Sequence, residues 1–176
     1  RYIGDWSSDV CSSDLISSVS GAAAGAGVSL AFSGDFVVCA DNAKFIMAFV
    51  NLGLVPDTGG TYLFVKSLGI QKAMELCVTG RPMKAQEAKD AGMVYDVVPA
   101  EELDDTVMKL AKKFASGPLL SYKNTKKQIY QAGLADYKKY LDECEIPTQR
   151  ECAASSDFIE GVKAFMEKRK AEFKGE

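Results

Sequence analysis

Short apolar runs separated by Gly, Ser and Asp fill the first half of the chain. The β-branched run at residues 16–19 stops at Ser20-Gly21, which predicts a buried strand followed by a tight turn. The small residues of 21–27 lead into the apolar stretch VSLAF, which predicts a short helix packed closely on a sheet. The run FVVCA at 36–40 is apolar throughout, as expected for a strand buried on both faces of a parallel sheet.

The same alternation of short elements continues to residue 99. A further strand is predicted at 43–47, and the loop GLVPDTGGTY at 53–62 leads towards a helix. The later elements are predicted as a helix from Ile70 to Val78, a short helix from Lys84 to Ala91, and a strand at 93–98. Residues 16–99 therefore have the pattern of an α/β fold.

Beyond Ala100 the apolar positions recur at helical spacing over longer stretches. The first of these helices has Asp and Glu in its first turn, Lys in its last, and an apolar stripe of Leu103, Val107, Leu110 and Phe114. Two more are predicted from Pro118 to about Ala132 and from Leu134 to an interruption near Pro147. A last helix is predicted from Asp157 to Glu172, with Asp157 and Glu160 as a capping box and a stripe of Phe158, Val162, Phe165, Met166 and Arg169. Residues 100–176 are thus predicted to be all-helical.

The first fifteen residues do not share this patterning. Residues 5–15 read DWSSDVCSSDL, without apolar periodicity, and resemble the translation of a sequencing-adaptor oligonucleotide. We therefore interpret residues 1–15 as a non-native scar and exclude them from the fold prediction. A natural polar tail is the alternative.

Composition narrows the function classes. The net charge is −3 and no basic run is present, so we expect no nucleic-acid partner. The longest weakly polar stretch, 19–32, is too short to span a membrane, and the first residues do not resemble a cleavable signal. The five Cys have no metal-ligand spacing, so we expect reduced thiols, no metal site and a cytoplasmic protein. The chain has no His, so acid–base work falls to Asp, Glu, Tyr, Lys or Cys.

One motif points to a different class of enzyme. Gly21, Gly25 and Gly27 follow a predicted strand, and Tyr122 and Lys126 form a YxxxK, as in NAD(P)-dependent short-chain dehydrogenases. The next strand begins directly after Asp35, which leaves too few residues for the crossover helix of a βαβ unit. We rank the dehydrogenase interpretation last.

Five segments occur in a distinctive order along the chain. They are SGAAAGAGVSLAFSGD, ADNAKF, GLVPDTGGTYL, ELCVTGRPMKAQEAKDAGMVYDVVP and DFIEGVKAFMEKRK. In this order they resemble the enoyl-CoA hydratase/isomerase (crotonase) superfamily over residues 16–176. The segment KFIMAFVNLGLVPDTGG is most similar to the subgroup around ring-1,2-epoxyphenylacetyl-CoA isomerase.

The resemblance implies an α/β, ClpP/crotonase-like spiral of ββα units. Residues 16–99 would be only the second half of the spiral core, and residues 100–176 a helical C-terminal region used in trimerisation. The intact protein would be a homotrimer or a dimer of trimers. We expect the 176-residue chain alone to be poorly stable and inactive, because the family's first half supplies part of the site.

The resemblance also implies an oxyanion hole at the start of the first helix. That helix would begin near Gly25, and the Ala26 N–H would supply one of two donors to the thioester oxygen. Small residues at 22–27 let a carbonyl approach the backbone, which agrees with this role. The structural alternative is that these residues only permit close packing of the helix on the sheet.

The same comparison points to one carboxylate. The two positions at which family hydratases carry Glu hold Ser29 and Phe49, so a two-carboxylate hydration mechanism is in doubt. In the isomerase subgroup the residue matching Asp57 is the acid–base, and a single carboxylate suits a 1,3-proton shift. The structural alternative for Asp57 is a cap for the helix that opens at Thr58 to Gly60.

The remaining site predictions concern the substrate. Its acyl end is expected to contact Gly25, Ser29, Phe49 and Pro56, with Phe49 lining an apolar pocket. In the last helix, Phe165 is implied to contact adenine and Lys168 a phosphate of CoA. Core packing of Phe165 and a solvated Lys168 are the structural alternatives.

The predicted function is that of an enoyl-CoA isomerase that acts on an acyl-CoA thioester. CoA would be part of the substrate, and no separate cofactor is expected. Two alternatives stay open, namely a hydratase-like lyase and a non-catalytic acyl-CoA-binding or assembly subunit.

Overall fold

The computed structural model describes residues 15–175. The interpretation of residues 1–15 as a scar therefore concerns residues that lie, except for Leu15, outside the described part of the chain. The backbone of Leu15 is hydrogen-bonded to the turn that precedes the strand Phe36–Ala40. Its N–H donates to Asp35 Oδ2 over 2.8 Å, and its carbonyl accepts from the N–H groups of Asp35 and Phe36.

In the described range, six short strands form two sheets. The strands are β1 (Ile16–Val19), β2 (Ala22–Ala24), β3 (Phe36–Ala40), β4 (Lys44–Ile46), β5 (Met83–Lys84) and β6 (Asp96–Val98). One sheet has the order β1-β3-β6 and is parallel throughout. In the other, β2 pairs with β4 in parallel and β4 pairs with β5 in antiparallel fashion. The first four strands alternate between the two sheets, and the helix α1 (Ala26–Phe32) connects β2 to β3, which gives the ββα unit that the resemblance implies.

Helices make up most of the remainder. In chain order they are α1 (Ala26–Phe32), α2 (Gly60–Thr79), α3 (Ala85–Asp90), α4 (Leu103–Ala115), α5 (Leu119–Gly133), α6 (Tyr137–Tyr140), α7 (Ile146–Ala153) and α8 (Ser156–Glu167). Two 3₁₀ segments, Ala48–Leu52 and Ala100–Glu102, precede α2 and α4. A π-helical turn, Leu141–Glu145, joins α6 to α7.

Two apolar clusters form the core of the part of the chain that the structure describes. The larger lies between the β2-β4-β5 sheet and helices α1, α2 and α3, and it includes the fully buried Phe45, Phe64 and Leu76. The smaller lies between the parallel sheet and α4, where Leu103 and Leu110 pack on Val38 and Ala40 with Val107 and Phe114 beside them. The predicted stripe of α4 is therefore confirmed.

The structure corrects the predictions for α8. This helix ends at Glu167, with Lys168 in the left-handed conformation, and does not continue to Glu172. Its N-cap is Ser155, whose Oγ accepts from the Phe158 N–H, so the predicted capping box is wrong. Asp157 and Glu160 instead accept backbone N–H groups of the segment that follows the helix.

Two other helices differ from their predictions. The helix predicted from Ile70 is the second half of α2, which begins at Gly60 and is kinked at Gly69, where φ is 75°. The helix predicted from Leu134 begins at Tyr137, and the π-helical turn Leu141–Glu145 interrupts its α-helical hydrogen bonding just before Pro147, as predicted.

The structure also explains the YxxxK motif of α5. Lys126 is 8% exposed, and its Nζ lies 2.6 Å from Asp35 Oδ2 in an ion pair that fastens α5 to the turn before β3. The ring of Tyr122 packs edge-on against Phe114, at a centroid distance of 5.8 Å. Both residues thus serve the packing of the fold. None of the helices in the described range is long and apolar enough to cross a membrane.

Removing a core aromatic ring should destabilise the chain far more than removing an exposed one. Phe45 is 1% exposed and packs on Phe32 at a centroid distance of 4.6 Å, whereas Phe165 is 76% exposed. We expect Phe45→Ala to lower the free energy of unfolding by about 3–5 kcal/mol and Phe165→Ala by less than about 0.5 kcal/mol. Urea denaturation of both variants measures the difference, and equal losses would contradict this account of the core.

Candidate active site

The start of α1 has the form predicted for it. The helix begins at Ala26, and its N-cap Gly25 has φ 55° and ψ −128°, a conformation that favours glycine. The Gly25 N–H is bound to the Ile46 carbonyl over 2.9 Å, which ties this end of α1 to β4. Within residues 15–175 no side-chain capping bond is made at this end, and the first N–H groups of an α-helix have no partner within the helix. The Ala26 N–H is therefore available to an acceptor outside the helix.

Phe49 lies against this helix end. Its ring would be 3.7 Å from a Cβ placed on Gly25, and the side chain is 8% exposed. The 3₁₀ segment that carries Phe49 is covered by α8, where Gly161 packs so closely on Leu52 that a Cβ would lie 2.7 Å from it. The structure thus places the predicted apolar residue beside the predicted oxyanion donor.

The backbone of Asp57 is held by three hydrogen bonds to its carbonyl oxygen. The donors are the Gly60 N–H at 3.0 Å, Thr58 Oγ1 at 2.8 Å and Ser29 Oγ at 3.2 Å. Ser29 lies on α1, one turn after Ala26 and on the same face of the helix. The loop that carries Asp57 is therefore fixed to the helix that carries the Ala26 N–H.

Ser29 is buried at the contact between α1 and the Asp57 loop. It is 1% exposed, and its hydroxyl is used to hold the Asp57 loop. The hydroxyl also lies next to Gly60, where a Cβ would approach it to 2.6 Å. The structure thus assigns Ser29 to the support of the loop, and its contact with a substrate stays a prediction.

The carboxylate of Asp57 does not cap a helix. The N-cap of α2 is Gly59, and neither oxygen of the Asp57 carboxylate accepts a backbone N–H among the described residues, so the structural alternative for Asp57 is wrong. Asp57 Oδ2 accepts from Gln149 Nε2 of α7 over 3.3 Å. Asp57 Oδ1 and Gln149 Oε1 are buried, and neither has a hydrogen-bond partner in the part of the chain that the structure describes. One oxygen of Asp57 is therefore oriented, and the other is free to accept a proton.

Glu145 is the main residue that the sequence patterns did not reveal. It is 5% exposed, and both of its carboxylate oxygens lie 3.0 Å from the Gly59 nitrogen. Burial, followed by the nearby negative charge of Asp57, raises its pKa, and the hydrogen bond from Gly59 opposes this shift. The chain offers no local signal for this contact, because Glu145 lies 86 residues from Gly59 among other acidic residues.

A tyrosine cluster fixes the segment that carries Glu145. The rings of Tyr137 and Tyr140 lie 5.0 and 5.4 Å from that of Tyr62 on α2. Tyr62 Oη donates to Asp136 Oδ1 over 2.5 Å. Burial and the neighbouring charge of Glu145 raise the pKa of Tyr137 to about 12. The C-terminal helices are thereby packed on the first turns of α2.

The other predicted site residues occupy distinct positions. Pro56 is half-buried in the loop before Asp57. Phe165 is exposed on α8, so core packing does not account for it, and Lys168 is exposed just after that helix. No ion pair or hydrogen bond among residues 15–175 joins either of them to Asp57, and their contacts with CoA stay predictions. The described residues contain no group of three or more side chains suited to a metal ion.

Comparison with solved structures defines the class of fold. An enoyl-CoA hydratase from Mycobacterium avium subsp. paratuberculosis superposes with a TM-score of 0.87 at 33% identity, over 93% of this chain and 66% of that one. In sequence, the chain is 42% identical to 1,2-epoxyphenylacetyl-CoA isomerase of Escherichia coli and 37% identical to trans-2-decenoyl-[acyl-carrier-protein] isomerase of Streptococcus mutans. Each of these two matches covers 161 residues, 92% of the chain and 61% of the relative.

The profile of the family described as enoyl-CoA hydratase/isomerase matches residues 8–176. The chain belongs to this family, and its fold is the crotonase fold, as the sequence resemblance predicted. It spans 61% of the length of the two relatives named above.

The raised pKa of Glu145 predicts a stability that depends on pH. Because the folded chain holds this proton more tightly than the unfolded chain, folding stability should fall as pH rises above the ordinary glutamate value of 4.5 and through the raised value. Glu145→Gln removes the group, so the free energy of unfolding of the wild type should decrease relative to that of the variant over this window. Urea denaturation from about pH 4 to about pH 7 measures the slopes.

Glu143→Gln is the matched control for this measurement. Glu143 lies in the same π-helical turn, but its side chain is exposed. Its replacement should leave the slope unchanged. A slope that is equally steep in the wild type and in Glu145→Gln would contradict the assignment of the raised pKa to Glu145.

A methyl group at Gly59 should disrupt the contact between this loop and the C-terminal helices. Gly59 has φ 76°, and a Cβ there would overlap the hydroxyl of Tyr137. Gly92 has nearly the same φ, 77°, with nothing within 4 Å of its Cβ position, so Gly92→Ala measures the backbone strain alone. We expect Gly59→Ala to destabilise the chain by at least about 1 kcal/mol more than Gly92→Ala in urea denaturation. Equal losses would show that Tyr137 is not held against the loop.

Proposed function

We propose that the protein is an enoyl-CoA isomerase in which Asp57 is the acid–base and the Ala26 N–H stabilises the thioester enolate. The observation that carries the proposal is the state of the Asp57 carboxylate. One of its oxygens is held by Gln149, and the other is buried without a partner among the described residues. Such an oxygen can accept a proton from a bound thioester without first breaking a protein hydrogen bond.

The chemistry follows from one carboxylate and one oxyanion donor. Asp57 removes a proton from the α-carbon of a 3-enoyl thioester, and the electron pair of the broken C–H bond spreads into a dienolate. The negative charge collects on the thioester oxygen, where the Ala26 N–H stabilises it. The now neutral Asp57 returns the same proton to the γ-carbon, so the double bond moves and no water is added or lost.

Two further features support isomerisation over hydration. Hydration with two carboxylates needs a second acid–base beside the first, and the positions of Ser29 and Phe49 supply none. Glu145 is the other carboxylate near this loop, and both of its oxygens are directed at the Gly59 N–H. Two relatives that share 42% and 37% identity with the chain are also named as isomerases.

The substrate that we propose is an acyl-CoA thioester. Phe49, packed against Gly25, would form one wall of the acyl pocket, and Pro56 would approach the substrate from the Asp57 loop. Phe165 and Lys168 are exposed on the C-terminal side and would meet adenine and phosphate of CoA, in a trimer whose subunits share the site.

Asp57→Asn tests the proposal. The amide keeps the shape of the side chain but cannot take up the proton, so we expect kcat for conversion of a 3-enoyl-CoA to the conjugated 2-enoyl-CoA to fall roughly 10²- to 10⁴-fold. Binding of the acyl-CoA should be retained. Asp41→Asn, which changes an exposed turn residue, is the matched control and should leave turnover unchanged.

The assay is run on the 176-residue chain and on a fusion that supplies the part of the Escherichia coli relative lying outside its match to this chain. Product analysis separates the alternatives. A 3-hydroxyacyl-CoA as the main product would favour a hydratase-like lyase. Acyl-CoA binding without turnover in the fusion would favour a non-catalytic binding subunit, and undiminished isomerisation by Asp57→Asn would refute the role of this residue.

A further inference from the structure

Burying the Glu145 carboxylate in this position costs free energy. A carboxylate that is 5% exposed loses most of its hydration, and a single backbone N–H, that of Gly59, compensates it among the residues described. Its neighbour Asp57 bears the same charge, and this proximity adds to the rise in the pKa of Glu145. Stability alone therefore gives no reason for a carboxylate at this site.

The target of Glu145 explains the arrangement better. Gly59 follows Asp57 by two residues and is the N-cap of α2. An Asp side chain commonly accepts the N–H of the second residue after it, in a local turn that precedes many helices. In this loop the expected acceptor for the Gly59 N–H is thus Asp57 itself, yet Glu145 accepts it from 86 residues away.

The geometry of the C-terminal helices lets Glu145 take the place of Asp57 as acceptor of the Gly59 N–H. Glu145 closes a π-helical turn, and Gln149 lies four residues later, on the same side of the helix. Glu145 accepts from the loop amide while Gln149 donates to Asp57 Oδ2 over 3.3 Å. Glu145 thus occupies the Gly59 N–H, and Gln149 holds the Asp57 carboxylate away from that N–H.

We propose that Glu145 is a positioning residue that occupies the Gly59 N–H so that Asp57 cannot close onto it and keeps an oxygen free for the substrate. The consequence for catalysis rests on the proposed function of Asp57. The competition of Glu145 and Asp57 for the Gly59 N–H does not depend on that function, so it can be tested without an enzyme assay.

Hydrogen exchange of the Gly59 amide, followed by NMR in the 176-residue chain, tests the competition. Glu145→Met keeps most of the side-chain volume and removes the acceptor. Asp57 should then take over, so the Gly59 amide should stay protected in Glu145→Met and lose its protection in Glu145→Met/Asp57→Ala. In Asp57→Ala alone the amide should stay protected by Glu145.

Two further variants complete the exchange experiment. Glu143→Met, at an exposed position of the same turn, should leave the amide protected whether or not Asp57 is present. Glu145→Gln keeps an acceptor of the same size and serves if Glu145→Met does not fold. Because a neutral amide oxygen competes less well than a carboxylate, Asp57→Ala should speed exchange in the Glu145→Gln background and not in the wild type.

The outcome that overturns the proposal is specific. If the Gly59 amide exchanges as fast in Glu145→Met as in the double variant, Asp57 does not replace Glu145, and Glu145 is only a structural cap. The proposal also falls if Asp57→Ala has no effect on exchange in the Glu145→Gln background.

The kinetic arm uses the fusion described above. If Asp57 is drawn onto Gly59, kcat of Glu145→Met should fall roughly 10- to 100-fold with KM changed much less, since the base is misplaced while the binding surface stays. An unchanged kcat would refute the positioning role. If exchange behaves as expected but Asp57→Asn still isomerises, the competition is real and the proposed function is wrong.

Discussion

The hydrogen bond from the Gly59 N–H to the Glu145 carboxylate is the contact on which the geometry of the candidate site depends. It joins the α/β part of the chain to the C-terminal helices across 86 residues. The N–H of Gly59 points at Glu145 because the residue has a φ of 76°, in the left-handed region that favours glycine. Tyr137 also leaves no room for a Cβ at this position. The loop is therefore shaped by a distant segment as much as by its own residues.

The loop is held from two sides. On one side Ser29 of α1 donates to the Asp57 carbonyl, and on the other Gln149 of α7 donates to the Asp57 carboxylate. The backbone and the side chain of one residue are thus fixed by different elements, which leaves little freedom for the remaining oxygen. The C-terminal segment contributes to the candidate site, since its π-helical turn carries Glu145 and α7 carries Gln149.

Several elements could be predicted because their causes are local. The apolar stripe of α4 follows from apolar residues at helical spacing within one segment, and the start of α1 follows from the run of small residues around Gly25. The end of α8 was predicted wrongly because its charged residues bind the segment after the helix, as Glu160 does with Arg169. Phe165 was placed on an apolar stripe, but periodicity cannot tell a stripe that meets the core from one that meets solvent.

The sequence by itself determined the family, the α/β-then-helical organisation, and Asp57 as the carboxylate of interest in a chain without histidine. These depend on motif order and residue type, which are properties of the linear chain. The tertiary structure alone decided that the Asp57 carboxylate does not cap α2 and that the Ser29 hydroxyl supports the Asp57 loop. It also decided that Glu145 and Gln149 lie at the candidate site. The physical reason is that hydrogen bonds between residues 28 to 92 positions apart are set by packing, and no periodicity along the chain records them.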